Sequence, residues 1–179
     1  MVWQKRKVET KKIGFRTLVF KTYEMPDGST KEFTTYGAEG VKGAAVIALT
    51  PDRKVIVARQ YRPGPEKVMD ELPGGIVDEG EDPKITAARE LLEETGYKTG
   101  HLKELGVAYR DAYSNESSYY FMAYDCEKVA EQQLEAAEFI EVAEISIDEL
   151  LQAGRDGRLT DAAALFLAQD ELQALNATA

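Results

Sequence analysis

The chain is poor in the residues that most often carry nucleophilic or redox chemistry, with one cysteine, Cys126, and one histidine, His101, among 179 residues. A single cysteine cannot close an internal disulfide, and its apolar sequence neighbours read as the setting of a buried small side chain. His101 follows Gly100 at a helix-to-strand connection and has no evident partner, so it reads as a surface residue rather than a base. No histidine-centred nucleophile is recognisable, which makes covalent catalysis the poorer mechanism. No apolar run approaches the ~18 residues of a membrane span and none opens the chain, so neither insertion nor export is expected. The expected compartment is the cytoplasm. Basic residues are also scarce, 22 against 32 acidic ones for a formal charge of −10. Such a balance neutralises nucleic-acid phosphates poorly, so no nucleic-acid partner is expected. The basic residues concentrate at the start, in Lys5, Arg6, Lys7, Lys11, Lys12, Arg16 and Lys21, with only Glu9 against them. That segment reads as a solvated edge, or as a patch that attracts a small anionic substrate. There is no internal repeat and no low-complexity tract, and the length and 44% hydrophobic content suit one well-buried core.

What is present is concentrated between Leu72 and Tyr97, where a glycine-rich turn runs into a helix dense with carboxylates. Asp82 suits the helix cap, Pro83 its first position and Gly96 its end. Glu90, Glu93 and Glu94 recur at three- and four-residue spacings, which places them on one side of the helix. Ile85, Ala88, Leu91, Leu92 and Thr95 are the expected packing surface. Clustered like charges cost roughly 0.2 to 0.5 kcal/mol per exposed pair, and more where a sheet covers them. Arg89 can bond to Glu93, but one guanidinium cannot neutralise three carboxylates. A hard divalent cation can, since Mg²⁺ takes oxygen ligands from carboxylates and substrate phosphates.

Taken whole, this stretch resembles the signature of the Nudix hydrolases. The pattern is a glycine, five residues, a glutamate, seven residues, Arg-Glu, an aliphatic residue, one residue, Glu-Glu, one residue, a glycine and a bulky apolar residue. Here those positions are Gly75, Glu81, Arg89, Glu90, Leu91, Glu93, Glu94, Gly96 and Tyr97, without a departure in spacing. The resemblance implies an α/β fold, the family's α/β/α sandwich with a mixed sheet and here an N-terminal β-hairpin, and hydrolysis of a nucleoside diphosphate linkage with Mg²⁺ or Mn²⁺. It also implies Glu90 and Glu94 as metal ligands with the Gly74 carbonyl, and Glu93 bridging metals or ordering their waters. Arg89 would orient Glu93, and Glu81 would add an outer carboxylate contact.

The flanking chain is most similar to the ADP-ribose pyrophosphatase branch of that family. Residues 14–23 and 31–36 read as two strands joined by a turn at Pro26, Asp27 and Gly28. A lone hairpin is marginal. In that branch a comparable sheet builds a homodimer, so residues 1–42 are expected to form a dimerisation element and residues 43–179 the Nudix hydrolase domain. Residues 44–49 and 54–58 read as core strands, ending at Arg59, Gln60, Tyr61, Arg62 and Pro63. By resemblance, Arg62 would bind a substrate phosphate. Residues 64–70 read as a loop, followed by Glu71, Leu72, Pro73, Gly74 and Gly75, with Gly74 where the branch commonly has alanine. Residues 102–109 and 118–126 read as strands around a polar loop. In that loop Ser114, Asn115 and Glu116 resemble a segment of the branch, while Ala112 and Tyr113 replace its Pro-Gly. Glu116 is a substrate-side candidate, or an exposed carboxylate.

Beyond it, residues 131–138 read as an acidic loop and 139–145 as a short strand. Ser146 and Glu149 form a capping box for the next helix, and 161–175 read as one final helix. By resemblance the general base sits on the acidic loop, at Glu138 or, in reserve, Glu135. The expected substrate is ADP-ribose or a related nucleotide sugar. Alternatives are a nucleoside triphosphate or dinucleoside polyphosphate, or a nucleotide-sensing module without turnover.

Overall fold

The computed structural model describes residues 2–177. The chain divides into two compact units, Met1–Lys42 with Tyr109–Ser118, and Gly43–Ala108 with Tyr119–Ala179. The first holds a three-stranded antiparallel sheet, β1 (Gln4–Ile13), β2 (Arg16–Glu24) and β3 (Thr30–Tyr36), in that spatial order. Strands β2 and β3 are the expected hairpin. Its turn is closed by bonds between Met25 and Ser29 and by Gly28 at φ 81°, a left-handed conformation that glycine adopts without strain.

Strand β1 has no counterpart in the sequence reading. It is exposed along its whole length and lacks apolar alternation, so no periodic signal marks it. It forms because β2 offers a free edge, and backbone pairing compensates for the missing side-chain burial. The polar stretch after Tyr109 is a loop, as expected, and binds back to β3. Tyr36 N–H donates to the Tyr113 carbonyl at 3.0 Å, and Asn115 N–H donates to the Tyr36 carbonyl at 2.9 Å.

The second unit is built on a mixed sheet of β4 (Lys42–Leu49), β5 (Val55–Arg62), β6 (Lys67–Glu71), β7 (Gly74–Ile76), β9 (His101–Tyr109), β10 (Ser117–Tyr124) and β12 (Glu141–Ile145). Its strand order is β12-β5-β4-β10-β9, with β6 paired to β5 and β7 to β4. Two short strands, β8 (Tyr97–Lys98) and β11 (Glu127–Lys128), pair separately. Because successive side chains alternate between sheet faces, the apolar strands fill two cores. Ala45, Ile47, Leu49, Val55, Val57, Tyr120 and Met122 pack with α2 (Ile147–Arg155), α3 (Ala162–Leu167) and α4 (Gln169–Ala177). Ala44, Val46, Ala48, Ile56, Phe121 and Ala123 pack with Ala87 and Leu91 of α1 (Pro83–Thr95). The result is a sheet with helices on both faces, the Nudix-type sandwich.

Three local expectations are corrected. Residues 64–70 are not a plain loop. Strand β5 runs on to Arg62, and β6 returns beside it with Arg59 opposite Asp70 and Arg62 opposite Lys67. The polar composition of β6 hides it in the sequence, but Asp70, 5% exposed, is neutralised by Arg59 at 2.7 Å and Arg158 at 3.0 Å. Ile85 is not part of the packing surface, being 59% exposed, whereas Thr86 and Ala87 are buried. The final helix is broken at Ala168, whose N–H is shared between the Ala164 and Phe166 carbonyls.

Helix α1 starts and ends as its sequence dictates. The Asp82 side chain accepts from Lys84 N–H, Pro83 occupies the first turn, and Gly96 closes the helix at φ 76° with its N–H on the Leu92 carbonyl. A Cβ at Gly96 would stand 2.1 Å from the Ala130 carbonyl oxygen. Gly96→Ala therefore combines left-handed strain with a backbone clash, and should lower unfolding free energy by about 2–4 kcal/mol in urea titration. An unchanged midpoint would show that the chain around Ala130 yields freely.

Candidate active site

The site is assembled where the β7 turn meets the acidic side of α1. Arg89 is its electrostatic hub. One guanidinium nitrogen donates to Glu90 Oε1 and Glu93 Oε2, each at 2.9 Å, and the other lies 3.5 Å from Glu81 Oε2. The expected Arg89–Glu93 pair is therefore joined by two further carboxylates. Partial burial opposes the guanidinium's charge, but the bonds to Glu93 and Glu90 outweigh it and hold the pKa above its ordinary value. Glu81 also accepts a short hydrogen bond from the Thr86 hydroxyl, the main cause of its lowered pKa.

Glu94 turns away from this hub. It is buried, with Oε2 accepting the Gly74 N–H at 3.0 Å. Burial, followed by repulsion from Glu90, Glu138 and Glu71, pushes its pKa up to about 8 despite that bond. Glu90 is likewise raised, chiefly by burial and then by Glu93 and Glu138, against the pull of Arg89. The glycines make this approach feasible. A Cβ at Gly75 would lie 2.2 Å from Glu90 Oε1, and one at Gly74 would lie 2.4 Å from the Ala44 carbonyl oxygen. An alanine at Gly74, the residue common there in the branch, would in this chain collide with β4.

Arg62 is engaged in a contact that the sequence did not disclose. Its Nε donates to Glu71 Oε1 at 2.6 Å, a second nitrogen makes a short bond to Oε2, and Gln60 Nε2 reaches Oε2 at 3.2 Å. The fork with Glu71 raises the Arg62 pKa, with smaller contributions from Glu94 and Asp161. Asp161, set among Thr160, Tyr120 and the Leu72 N–H, has its own pKa raised by burial and by Glu71. Glu71 and Asp161 were missed because their partners come from strand register and from residues distant in sequence.

The acidic loop contributes Glu138, whose charge acts on both Glu90 and Glu94. Its Oε2 accepts from Glu135 N–H at 2.8 Å, while Glu138 N–H returns to the Glu135 carbonyl at 3.0 Å. Glu135 itself is exposed. Glu116 belongs to the first unit, where its side chain lies over Gly37 and its N–H donates to Ser114 Oγ at 3.2 Å. His101 is exposed, and Cys126 is buried with its pKa pushed up to about 11 by desolvation, so neither offers a ready nucleophile.

Among the described residues, no three His, Cys, Asp or Glu side chains close into a metal cage. Arg89 holds Glu90 and Glu93 while Glu94 faces the Gly74 N–H. The donor chemistry nevertheless suits a hard cation. The available ligands are oxygens only, and burial, added to by the charges of Glu90, Glu138 and Glu71, disfavours the Glu94 anion in the absence of a cation.

Glycine turn, carboxylate helix and two-faced mixed sheet together define a hydrolase of diphosphate-containing nucleotides. Residues 41–166 match the NUDIX domain, and the chain belongs to that family, in relation to its ADP-ribose pyrophosphatase and nucleoside diphosphate sugar hydrolase branch. The family works with a divalent cation, Mg²⁺ or Mn²⁺. The chain is 33% identical over 148 residues to the methanol dehydrogenase activator of Bacillus methanolicus, covering 82% of this chain and 79% of the relative. It is 30% identical over 154 residues to the ADP-ribose pyrophosphatase of Bacillus subtilis (strain 168), covering 85% and 82%. A crystal structure of an ADP compounds hydrolase superimposes with a TM-score of 0.81 at 20% identity, over 98% of this chain and 96% of that one, and shows the shared fold. Among the described residues no helix is long and apolar enough to cross a membrane.

Proposed function

We propose that the protein hydrolyses the diphosphate of ADP-ribose, or of a closely related nucleoside diphosphate sugar, to a nucleoside monophosphate and a sugar phosphate. The observation that carries the chemistry is the buried Glu94 carboxylate, fastened to Gly74 N–H and crowded by Glu90, Glu138 and Glu71. Such a group calls for a cation. Glu90, Glu94, Glu93 and the Gly74 carbonyl would hold Mg²⁺ or Mn²⁺, which when bound neutralises phosphate charge and makes water a better nucleophile. Arg89 restrains Glu90 and Glu93 so that they stay on one side of α1. Glu138 receives the proton of the attacking water. Arg62, gripped at two points by Glu71, offers its exposed edge to a substrate phosphate, a geometry that guanidinium matches. Glu116 keeps a substrate-side assignment on resemblance alone.

Similarity to an ADP-ribose pyrophosphatase supports the choice of substrate. In a panel with Mg²⁺ and Mn²⁺, ADP-ribose should outcompete ATP, dinucleoside polyphosphates and other nucleotide sugars. Much higher catalytic efficiency on a triphosphate would overturn the substrate, and binding of ADP-ribose without any turnover would make the protein a sensing module. We further propose that residues 1–42 dimerise the chain and that residues 43–179 form the hydrolase domain. Sedimentation at micromolar protein should give a homodimer, and a fully active monomer would refute it.

A further inference from the structure

The last turn of a helix leaves carbonyls without intrahelical partners, and those partners have to come from elsewhere. At the end of α1 they come from the stretch leading into the acidic loop. Gly96 O accepts from Val129 N–H at 2.9 Å and Ala130 N–H at 3.2 Å, and Glu93 O accepts from Gln133 N–H at 2.8 Å. Between these, one side chain takes part. Gln132 Nε2 donates to the Glu94 carbonyl at 2.6 Å and to the Ile140 carbonyl at 3.2 Å. Glu94 lies on the catalytic helix, and Ile140 is the buried residue immediately before β12.

One amide therefore fastens both ends of residues 133–139 to the same point on α1. Within that span the only regular bonds that the loop makes to itself join Glu135 and Glu138 among the described residues. Glu138 is two residues from the Ile140 anchor, so the direction in which its carboxylate leaves the chain depends on where that anchor is held. Backbone carbonyls accept equally well from many donors, but glutamine is suited to this place because its two amide hydrogens can serve two carbonyls without bringing a charge. An ammonium would also donate, but would pull on the surrounding carboxylates. A carboxylate would add to the repulsion already present around Glu94.

We propose that Gln132 is a positioning residue for Glu138, its side-chain amide clamping the acidic loop to the end of α1 and to the root of β12. The inference rests on the assignment of Glu138 as the proton acceptor and adds the device that sets its place. Gln132 touches no reacting atom, and its contribution is geometric. A carboxylate displaced by about 1 Å can lose on the order of a hundredfold in rate, whereas substrate affinity, set by other groups, stays where it was.

The test uses the 179-residue chain, ADP-ribose and Mg²⁺. Gln132→Met keeps the length of the side chain and removes both donors, and Gln132→Asn keeps the donors on a shorter stem. The methionine variant is expected to lose roughly ten- to a hundredfold in kcat with KM within about twofold of the parent, and the asparagine variant to recover part of the loss. In the free protein, amide hydrogen exchange at residues 133–139 should quicken in Gln132→Met while exchange in the core strands is unchanged. Combining Gln132→Met with Glu138→Gln should cost little beyond Glu138→Gln alone, since the clamp acts through that carboxylate. Unchanged exchange in the loop, or fully additive losses, would overturn the clamp and leave the role of Glu138 standing. Near-parental kcat for Glu138→Gln would instead remove the proton acceptor itself, and the proposed purpose of the clamp with it.

Discussion

Glu94→Gln should reduce turnover of ADP-ribose by roughly a thousandfold and, in chelated protein near pH 8, should make the fold more stable rather than less. Loss of activity follows from removing one of the charges that would hold the cation, with side-chain volume kept. The gain in stability follows from linkage. Unfolded, this carboxyl releases its proton near 4.5, and folded it does so near 8, because burial and three neighbouring carboxylates disfavour the anion. Between those values the folded protein binds more protons than the unfolded chain, so the stability of the metal-free parent falls as pH rises through the window. A shift of that size corresponds to an effect of about 5 kcal/mol before local relaxation reduces it. The substituted amide would have nothing to ionise and can still accept from Gly74 N–H, so that part of the pH dependence should vanish. Thermal melts of parent and variant from pH 4.5 to 8.5 in chelator should diverge toward alkaline pH. Parallel curves would contradict the assigned environment of Glu94.

Arg89→Met is expected to damage both stability and catalysis. Without the guanidinium, Glu81, Glu90 and Glu93 would face one another with their shared partner gone. Removing one member of a fully buried ion pair costs about 3–5 kcal/mol, and because Arg89 is about a third exposed we expect about 2 kcal/mol at neutral pH. The deficit should shrink toward acid pH, where Glu90, its pKa already raised by burial, takes up a proton, and on addition of Mg²⁺. Turnover should fall at least a hundredfold, because Glu90 and Glu93 lose the bond that fixes them. Calorimetry in low salt with and without Mg²⁺ checks the first part and steady-state kinetics the second. A variant that melts like the parent in chelator would mean that Arg89 is not the hub.

The elements legible in the sequence were those with local causes. Helix α1 announces itself through Asp82, Pro83 and Gly96, and the core strands through apolar runs that are buried on both faces. Its carboxylates could be placed on one side from spacing alone. Elements whose causes are distant were hidden. Strand β1 exists because β2 has a free edge, and β6 because Arg59, Arg62 and Arg158 neutralise its acids. Which stripe of α1 is buried was decided by the sheet, so Thr86 and Ala87 are covered while Ile85 is left in water. The same division runs through the site. The placement of Glu90, Glu93 and Glu94 on α1 was readable, but the Glu71 grip on Arg62 depends on strand register, and the Gln132 contact joins residues 38 apart in sequence.

The central claim is that this site hydrolyses the diphosphate bond of a nucleotide sugar with water, and one experiment addresses it directly. Protein, ADP-ribose and Mg²⁺ are incubated in isotopically labelled water and the products identified by mass spectrometry. The expected products are AMP and ribose 5-phosphate, with the label in one of the two phosphates and no reaction when the cation is chelated. Release of inorganic phosphate from ADP-ribose, or the same products formed in excess chelator, would contradict the account.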